Sequence, residues 1–551
     1  MSELMSTMQD VPLTVGAMVR HAQHVHPDTR VLSCADGAVA HEADLATVLA
    51  RAGRLAAALH ALGVRAGDRV GSLCHNHQAH LETFYGVPAM GAVLHLVNSR
   101  LSDDQLVYVI DDARDGVLIV DDDLLPRVEP LLERTPSVHT VVVVGTAPEP
   151  YLGYEALVGS ADPTDGWPSD PDERAAAAIC YTTGTTGLPK GVAYSHRSIW
   201  LQALTIASGS AMALSDRDRI LQVTPMFHVN GWGLPHASLL TGAGLVLPGR
   251  DVGPRAIASI VAATRPTVAV SIPLIWAQVK TYAQNHPVDL GSLRSIICAG
   301  SSVPDSLIDH YARTHGANLV QGWGMTEVGP WGGLALPAAA DADDEDTPWR
   351  QWSGRLLPGL EMRAVDEYGE PLPRDGEAVG ELELRGPWVT GSYLGGTGAD
   401  RFTADGWLRT GDMGVIDRRG YFKITDRAKD VIKSGGEWIS SVALQDQLDA
   451  HPDVVESAVI GVPDPRWDER PLAVVVLRAG ADVTADDLRA HLAVHVPRWW
   501  LPERWALTSE LPRTSVGKLD KKRLRAVAAE GGLTVRTLAH PSPVGADAGT
   551  R

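Results

Sequence analysis

Short apolar runs alternate with stretches of helical spacing through the first part of the chain. Apolar runs at Asp68–Cys74, Gly116–Val120 and His139–Val144 predict buried strands. Between them, the spacing of apolar residues predicts helices over Gln78–Val97 and Leu124–Glu133. Strands and helices that alternate in this way are typical of doubly wound α/β sheets. We therefore expect a large N-terminal α/β domain.

The same alternation continues through the middle of the chain. Ser195 is placed to begin a helix, and Pro304 is placed in the first turn of a helix that reaches His315. These elements extend the α/β domain. Further strands are predicted at Ala175–Cys180, Ile220–Val223, Thr267–Ser271, Leu293–Ala299 and Ala317–Gln321.

Past Gly354 the pattern changes to that of β structure. Gly380–Gly386 alternates between apolar and polar residues, and Trp407–Asp412 and Tyr421–Thr425 predict two hairpin strands. This indicates a β-rich subdomain at the end of the large domain. We place the boundary of that domain near Arg427–Lys429.

A smaller domain is predicted after this boundary. Strands at Val454–Val462, Leu472–Arg478 and Trp505–Ser509, with a helix at Ala485–Val496, indicate an α+β domain of about 100 residues. Thr534–Arg551 is polar and rich in small residues, which predicts a disordered tail. The predicted division is therefore 1–427 for the N-terminal domain, 428–533 for the C-terminal domain and 534–551 for the tail.

Composition narrows the choice of function. The chain has 551 residues, more than one hydrophobic core usually supports, and a formal net charge of −19. The acidic charge argues against nucleic acid as a partner, because phosphate backbones favour basic surfaces. No apolar run approaches the ~18 residues of a membrane span, and Met1–Val11 lacks the apolar segment of a signal peptide. We expect no transmembrane segment and a cytoplasmic protein that acts on small molecules.

The cysteines favour neither a metal site nor a disulfide framework. Cys34, Cys74, Cys180 and Cys298 are scattered and form no C-x-x-C spacing. This usage is typical of a reducing compartment.

The stretch Tyr181–Val192 is the strongest chemical signal. It places glycines and threonines between two apolar runs, with Lys190 near its end. Glycine lets the backbone approach a ligand, and clustered N–H groups suit phosphate oxygens. The stretch is not a Walker A loop, because only two residues separate Gly184 from Gly187, and Gly191 follows the lysine. The sequence therefore predicts a phosphate-binding loop of another kind.

Further motifs follow this loop along the chain. They are Trp323–Glu327, Thr410–Asp412, Asp426–Asp430 with Ile432–Trp438, and Pro512–Lys518. Together with the loop, they resemble the motifs of the adenylate-forming (AMP-binding) superfamily over nearly the full chain. The stretches that are similar to medium- and long-chain fatty acyl-CoA synthetases are Pro225–Trp232, Gly435–Ser440 and Val496–Pro502.

The resemblance implies an AMP-forming acid–CoA ligase. In such enzymes a carboxylate attacks the α-phosphorus of ATP, pyrophosphate leaves, and the acyl group passes from the adenylate to CoA. Both steps gather negative charge, so catalysis depends on positioning and electrostatic stabilisation. ATP, Mg²⁺ and CoA are the implied cofactors, and a homodimer is the implied assembly. The implied architecture is the adenylate-forming enzyme fold, whose small C-terminal domain is mobile.

The resemblance also implies roles for individual residues. Lys518 contacts the carboxylate and phosphate oxygens during adenylation, while Glu327 and Thr182 are catalytic residues that bind Mg²⁺. Asp412 accepts hydrogen bonds from the ribose hydroxyls, and Trp323 stacks on adenine. The implied ATP-binding residues are Thr182, Thr183, Gly184, Thr185, Thr186, Lys190, Gly300, Gln321, Gly322, Trp323, Thr326, Asp412, Arg427, Lys429, Lys433 and Trp438.

The remaining implied residues contact the acid and CoA. Trp232 is implied as a gate to the acyl tunnel, and Lys429 as the hinge about which the small domain rotates after adenylation. The implied acyl pocket is formed by His228, Val229, Trp232 and Ala299. The implied CoA contacts are Gly435, Gly436 and Trp438.

Three functions stay open at the level of sequence. The first is acid–CoA ligation, with a straight-chain fatty acid as first substrate and a compact aromatic or cinnamate-like acid as second. The second function passes the activated group to a carrier protein or amine, or activates an unusual acid such as nitrite. The third is a nucleotide-binding regulatory protein, against which Lys518, Glu327 and Asp412 argue. Departures from the family pattern at Ile297–Pro304 and Ala443–Gln445 leave acyl selectivity and small-domain docking open.

Overall fold

The computed structural model describes residues 6–161, 170–182, 188–338, 348–427, 430–434, 437–513 and 519–538. Within these ranges, the side chains of five residues are not described: Pro348, Gln351, Arg427, Glu437 and Trp438. The chain divides into two compact units. The first comprises Met1–Met362, Leu384–Leu408 and Arg419–Tyr421. The second comprises Arg363–Glu383, Arg409–Arg418 and Phe422–Arg551.

The strands of the first unit form two mainly parallel sheets. In chain order they are β1 (Arg30–Ala35), β2 (Ala38–Asp44), β3 (Arg69–Leu73), β4 (Val93–Leu96), β5 (Val117–Asp121), β6 (Thr140–Val144), β7 (Leu152–Gly153), β8 (Ala176–Tyr181), β9 (Gly191–Ser195), β10 (Arg219–Gln222), β11 (Gly244–Leu247), β12 (Val268–Ser271), β13 (Ser295–Cys298), β14 (Asn318–Gly324), β15 (Trp331–Leu334) and β16 (Gly354–Leu356).

The helices of the first unit pack on these sheets. In chain order they are α1 (Val15–Val25), α2 (Leu45–Ala61), α3 (Gln78–Ala89), α4 (Asp103–Ala113), α5 (Leu125–Val128), α6 (Tyr154–Ser160), α7 (His196–Ala207), α8 (Leu234–Thr241), α9 (Pro254–Thr264), α10 (Pro273–Ala283) and α11 (Asp305–His315). Within the described residues, no helix is both long enough and apolar enough to cross a membrane.

The strand order explains where ligand-binding residues gather. One sheet has the order β7–β6–β5–β3–β4–β8–β9 and is parallel except for the β8–β9 pair. The other contains β16–β15–β14–β13–β12–β10–β11–β1–β2, and its strands from β14 to β1 are parallel. Since neighbouring parallel strands end at the same edge, the loops after β3, β5 and β8 lie together, as do those after β13 and β14. Such edges are where α/β sheets bind ligands.

Large apolar side chains fill the interior of the first unit. Trp276 and Tyr311 are fully buried, and their rings meet edge to face with centroids 5.5 Å apart. The Tyr311 hydroxyl donates a hydrogen bond to the carbonyl of Trp276 at 2.7 Å, so the polar end of the tyrosine is satisfied. A fully buried side chain of this size contributes about 1.5–3 kcal/mol or more. Packing of this kind stabilises the sheets that carry the site.

The second unit is β-rich. Its strands, some of which begin or end in the first unit, are β17 (Glu361–Val365), β18 (Gly380–Arg385), β19 (Leu408–Ile416), β20 (Tyr421–Arg427), β21 (Ile432–Ser434), β22 (Glu437–Ile439), β23 (Val454–Asp464), β24 (Asp468–Leu477), β25 (Arg504–Leu507) and β26 (Val535–Thr537). Its helices are α12 (Ser441–Asp449), α13 (Ala485–Leu492) and α14 (Lys521–Ala529).

Two strand groups organise this unit. The strands β17–β18–β19–β20 are neighbours in that order. A second sheet runs β22–β21–β24–β25–β26, with the long strand β23 paired antiparallel to β24. Its core buries Leu488 of α13 and Trp505 of β25. The C-terminal α+β architecture predicted from the sequence is therefore observed.

Most predicted elements are confirmed within a few residues. Ala175–Cys180 corresponds to β8, and the predicted hairpin strands pair antiparallel as β19 and β20. Ser195 caps α7 by accepting a hydrogen bond from the backbone of Ser198 at 3.1 Å. The domain boundary near Arg427–Lys429 stays a prediction.

The predicted helix over Gln78–Val97 is wrong in its second half. Helix α3 ends at Ala89, and Val93–Leu96 forms β4 between β3 and β8. Gly91, with a φ of 86°, allows the left-handed turn after the helix. The four residues of β4 are all buried, and a short run of this kind cannot be distinguished from a helix by periodicity alone.

Two other predicted helices need smaller corrections. The stretch Leu124–Glu133 divides into α5 and a 3₁₀ turn at Glu129–Arg134. Pro130 lacks a backbone N–H and cannot continue α-helical hydrogen bonding at that point. Pro304 precedes α11 as its N-cap instead of lying in the first turn.

The predicted tail begins too early. Val535–Thr537 form β26, which pairs antiparallel with β25, and Leu538 is buried in the core of the second sheet. The backbone N–H of Leu538 donates to the carbonyl of Glu503 at 2.7 Å. The three residues of β26 are all exposed, so no apolar pattern predicts this strand, and residues 539–551 lie outside the described residues.

Candidate active site

The predicted phosphate loop connects two paired strands of the first unit. β8 ends at Tyr181 and β9 begins at Gly191, and these residues are partners in the antiparallel register. The N–H of Thr182 donates to the carbonyl of Lys190 at 2.9 Å, and the N–H of Lys190 donates to Oγ1 of Thr182 at 3.0 Å. These two hydrogen bonds close the base of the loop. The predicted residues Thr183, Gly184, Thr185 and Thr186 lie outside the described residues.

Lys190, Tyr393 and Glu327 form a connected group at this loop base. The Nζ of Lys190 lies 5.0 Å from the centroid of the Tyr393 ring, which is a cation–π distance. The Tyr393 hydroxyl donates to Oε1 of Glu327 at 2.6 Å. Burial first, and then the charge and hydrogen bond of Glu327, raise the pKa of Tyr393, so its hydroxyl remains a donor at neutral pH. Tyr393 therefore joins two predicted site residues.

Glu327 is held in place by further contacts. It lies in a short turn after β14 and is only 6% exposed. The N–H of Thr390 donates to its carbonyl at 2.8 Å, and the Tyr194 hydroxyl donates to the carbonyl of Thr326. No described residue donates a hydrogen bond to Oε2 of Glu327. A fixed carboxylate oxygen and the hydroxyl of Thr182 are hard donors that fit Mg²⁺.

Gln321 pairs with Cys298, the last residue of β13, and the Ala299–Gly300 turn follows directly. Oε1 of Gln321 accepts a hydrogen bond from the N–H of Val303 at 2.7 Å, so this side chain supports the turn. Ala299 is buried, and its N–H donates to the carbonyl of Ser271 at 3.3 Å. Gly300 has a φ of 94°, a conformation that glycine adopts without strain. The structure thus connects Gln321, Ala299 and Gly300 at one sheet edge.

Gly322 and Trp323 are packed against β15. A Cβ at Gly322 would lie 2.5 Å from the ring of Trp331, and a Cβ at Gly332 would lie 2.3 Å from the ring of Trp323. Both positions therefore require glycine. Trp323 is buried, with its ring held against the backbone of the neighbouring strand.

The predicted acyl-pocket residues Val229 and Trp232 lie in one left-handed turn. Val229, Asn230, Gly231, Trp232 and Gly233 have φ values of 45°, 55°, 58°, 57° and 76°. A left-handed conformation costs roughly 1–2 kcal/mol for each residue that has a Cβ. Such a run of positive φ angles must be held by its surroundings, and backbone strain of this kind concentrates at functional sites.

Tryptophan packing and a hydrogen bond hold this turn. The rings of Trp232 and Trp331 meet edge to face with centroids 5.0 Å apart. Nε1 of Trp331 donates to the carbonyl of Trp232 at 2.9 Å. His228, half-buried, precedes the turn, and its carbonyl accepts the N–H of Gly231 at 3.1 Å. Trp331 belongs to β15, which pairs with β14, so the left-handed turn contacts the strand beside Gly322 and Trp323.

The second unit carries Asp412 on β19. Its N–H donates to Oγ1 of Thr410 at 3.1 Å, and Thr410 in turn donates to the carbonyl of Leu382 at 2.6 Å. Asp412 is buried and pairs in register with Arg427 of β20, whose side chain is outside the description. The local backbone thus fixes the position of the predicted ribose-binding carboxylate.

Lys433 and the ends of the lysine loop are also in the second unit. Lys433 is exposed on β21, and its N–H donates to Oε2 of Glu469 at 3.0 Å. Arg513 and Leu519 form an antiparallel bridge, which brings together the ends of the loop that carries Lys518. The predicted residues Lys429, Gly435, Gly436 and Lys518 lie outside the described residues, as does the Trp438 side chain.

Sequence reasoning missed the residues that connect the site. Tyr393, Tyr194 and Trp331 are single aromatic residues outside the quoted motifs, and no local pattern distinguishes them from core residues. Only the fold brings Tyr393, 66 positions from Glu327 along the chain, into hydrogen-bonding distance.

Two protein-family models match the chain. The AMP-binding enzyme family model matches residues 19–394, and the model of the AMP-binding enzyme C-terminal domain matches residues 444–518. The chain is 42% identical over 533 residues to a long-chain-fatty-acid–CoA ligase of Thermus thermophilus, covering 95% of this chain and 97% of the relative. It is 37% identical over 532 residues to a medium-chain-fatty-acid–CoA ligase of Ectopseudomonas oleovorans, with 95% and 97% coverage.

A solved structure agrees with these matches. An anthranilate CoA ligase in complex with anthranoyl-AMP superposes with a TM-score of 0.85 at 27% identity, covering 95% of this chain and 100% of that chain. The predicted family resemblance and the predicted fold are therefore confirmed. The chain belongs to the AMP-binding enzyme family.

Proposed function

We propose that this chain is an AMP-forming acid–CoA ligase, which converts a carboxylic acid, ATP and CoA into an acyl-CoA, AMP and pyrophosphate. The Lys190–Tyr393–Glu327 group is the observation that carries the proposal. It provides a cation and an oriented carboxylate at the base of a loop whose composition suits phosphates. The names of its matched relatives, which are CoA ligases, support the same reaction.

In the first step, an oxygen of the acid forms a bond to the α-phosphorus of ATP, and the bond from that phosphorus to pyrophosphate breaks. The acid is already ionised at neutral pH, so the step needs no base. Lys190 and Lys518 stabilise the anionic oxygens, and Asp412 and Trp323 bind the ribose and adenine. Glu327 and Thr182 would hold Mg²⁺, which would neutralise phosphate charge.

In the second step, the sulfur of CoA forms a bond to the acyl carbon, the bond from that carbon to the AMP oxygen breaks, and the thiol proton is lost. Gly435, Gly436 and Trp438 contact the pantetheine arm after the small domain has rotated about Lys429. Arg427 and Lys433 contact the nucleotide. The rotation lets one set of side chains serve two reactions in turn.

A straight-chain fatty acid is the first proposed substrate. The names of the two fatty-acid ligases support this choice, as do the buried apolar side chains of Val229 and Trp232 in the left-handed turn Val229–Gly233, called the acyl turn below. A compact aromatic acid is the second, since a structural relative is an anthranilate ligase. We further propose a homodimer and a cytoplasmic location.

The decisive experiment measures pyrophosphate and AMP formation from ATP with a panel of carboxylic acids, with and without CoA. We expect acid-dependent pyrophosphate release, and AMP turnover that requires CoA. Turnover only with an amine or carrier protein would show another acceptor, and binding of ATP without pyrophosphate release for any acid would contradict the proposal. In a Lys518→Ala control, pyrophosphate release should be lost while thioester formation from supplied acyl-adenylate continues.

A further inference from the structure

Histidines and aspartates meet where β3 and β5 end. The two strands are parallel neighbours, with Leu73 opposite Val120. The chain leaves β3 through Cys74–His77, and β5 ends at Asp121 and leads into Asp122 and Asp123. Because the carboxyl ends of parallel neighbours meet at one edge, side chains far apart in sequence come together here.

His75, Asp121 and Asp123 have the geometry of a cation site. One potential ligand atom from each residue lies within 4.8 Å of those of the other two. The closest pair recorded is Nε2 of His75 and Oδ2 of Asp123, at 3.2 Å. Metal bonds of about 2.0–2.2 Å place neighbouring donors roughly 3–4 Å apart, so side-chain rotation alone can complete the site.

The central carboxylate of the cluster is already oriented. Nδ1 of His77 accepts a hydrogen bond from the N–H of His80 at 3.3 Å, so the proton of the His77 ring is on Nε2. This Nε2–H donates to Oδ1 of Asp121 at 2.8 Å. The backbone N–H of His75 donates to Oδ2 of Asp121 at 2.8 Å. Outer hydrogen bonds of this kind orient metal ligands.

The charge and the solvent exposure of the cluster also favour a bound metal ion. Two carboxylates and a neutral imidazole balance a divalent charge, and an imidazole donor favours transition metals over Mg²⁺. The side chain of Asp121 is 7% exposed, while those of His75 and Asp123 are 27% and 36% exposed, so the cluster opens to solvent on one side. The exposed Arg250, 3.6 Å from Asp123, is the competing cation, and such surface ion pairs are weak.

We propose that His75, Asp121 and Asp123 bind one divalent transition-metal ion, of the kind represented by Zn²⁺ or Co²⁺, while His77 positions Asp121. This site is separate from the residues assigned to Mg²⁺ and ATP, and it does not depend on the proposed function. It was not predicted from the sequence, because its ligands come from two stretches about 45 positions apart.

A neighbouring ligand set is less suitable. Cys74, His77 and Asp121 also lie within 4.8 Å of one another. However, Nε2 of His77 carries a proton as long as its Nδ1 accepts the N–H of His80. The buried Cys74 thiol donates a hydrogen bond to the carbonyl of Ile119 at 3.7 Å, so it holds its proton, whereas metals bind the thiolate.

The site is connected to the acyl turn by Asn76, which stands between His75 and His77. Nδ2 of Asn76 donates to the carbonyls of Gln222 and Thr224 at 2.7 and 2.9 Å, and its Oδ1 accepts the N–H of Met226 at 2.8 Å. These residues lead directly into His228 and the left-handed turn. A metal ion bound by His75 would therefore restrain the adjacent Asn76. The hydrogen bonds of Asn76 connect the residues before the acyl turn to the sheet that contains β3.

The test is equilibrium dialysis of the full chain against Co²⁺ or Zn²⁺ in excess Mg²⁺, with bound metal counted by elemental analysis. We expect Asp123→Asn to bind one ion fewer than the unsubstituted chain. Asp122→Asn is the matched control, since Oδ2 of Asp122 accepts the N–H of Thr146 at 2.8 Å, and it should bind the full number. His77→Gln should weaken binding about tenfold without removing the site.

Thermal unfolding provides a second readout. Binding to the folded state should raise the melting temperature of the unsubstituted chain and of Asp122→Asn, but raise that of Asp123→Asn less. Equal metal content in Asp123→Asn and the unsubstituted chain would overturn the proposal. Loss of the ion in Cys74→Ser would also overturn it, because the buried cysteine set would then be the binding site.

Discussion

Tyr393 makes two separate contacts at the base of the phosphate loop. The ring of Tyr393 faces the Lys190 cation, while its hydroxyl fixes Glu327. Phenylalanine keeps the ring but removes the hydroxyl, so one substitution distinguishes the cation–π contact from the hydrogen bond.

We predict that Tyr393→Phe lowers kcat/KM for ATP about tenfold, equivalent to ~1.4 kcal/mol, because Glu327 loses the donor that orients it. Steady-state kinetics at several Mg²⁺ concentrations measure the effect. Tyr368→Phe, at a site 82% exposed, is the control and should behave like the unsubstituted enzyme. An unchanged kcat/KM in Tyr393→Phe would mean that the hydroxyl does not orient the carboxylate for catalysis.

We propose that Trp232 contacts the acid substrate. We predict that Trp232→Phe changes the ratio of kcat/KM between long and short acids about tenfold and leaves the KM for ATP nearly unchanged, since the smaller ring leaves space beside Trp331. The measurement is kcat/KM for acids of increasing length, with the exposed Trp499→Phe as control. An acid profile equal to that of the control would remove Trp232 from the acyl pocket.

At the scale of elements, the turn at Val229–Gly233 has an unusual backbone conformation, with five consecutive positive φ angles. Its neighbours β10 and α8 are regular, so the positive φ angles are local to the turn. The sequence motif located this stretch but could not reveal its conformation, because Val229 and Trp232 are residues that rarely adopt positive φ, unlike Asn230 and the two glycines.

We predict that Gly231→Ala lowers the free energy of unfolding by at least ~1 kcal/mol. Its φ of 58° disfavours alanine, and the added Cβ would lie 3.1 Å from Cγ of Pro235. Urea denaturation measures the change, and Gly209→Ala, where a Cβ meets nothing within 4 Å, is the control. Equal denaturation midpoints in the two variants would indicate that the turn is not strained.

The elements that the sequence predicted best are those with strong local patterns. β8 and β6 are apolar runs of the right length, and Ser195 is a strong N-cap. β4 was missed because its buried run directly follows a helix, and β26 because a short strand lies in a polar context. At the candidate site, sequence motifs predicted residues such as Glu327, whose role stays a prediction, whereas the contact of Tyr393 with Glu327 depends on tertiary structure that no local pattern encodes.

At the scale of the whole molecule, buried histidines connect stability to pH. Burial lowers the pKa of His80 and His236 to about 3 and that of His196 to about 4. These groups stay neutral in the folded chain but take up protons in the unfolded chain below pH ~6.5. Each of them therefore removes stability as the pH falls from about 6.5 towards 4, by up to ~1.4 kcal/mol per pH unit.

We predict that His236→Phe flattens this dependence. The ring of His236 lies 5.8 Å from that of Phe84, and neither of its nitrogens has a hydrogen-bond partner among the described residues, so an apolar ring suits the site. Urea midpoints between pH 7.5 and 4.5 measure the effect, with the exposed His60→Phe as control. The difference between His236→Phe and the unsubstituted chain should grow as the pH falls, and parallel curves would contradict the assignment.

The proposed reaction requires the nucleotide to bind at the predicted phosphate loop. A crystal structure with Mg²⁺ and a non-hydrolysable ATP analogue tests this most directly. We predict that the triphosphate lies along Thr182–Lys190, with Mg²⁺ about 2.1 Å from an oxygen of Glu327. A triphosphate bound elsewhere, or a metal ion that makes no contact with Glu327, would contradict the proposed acid-activating site.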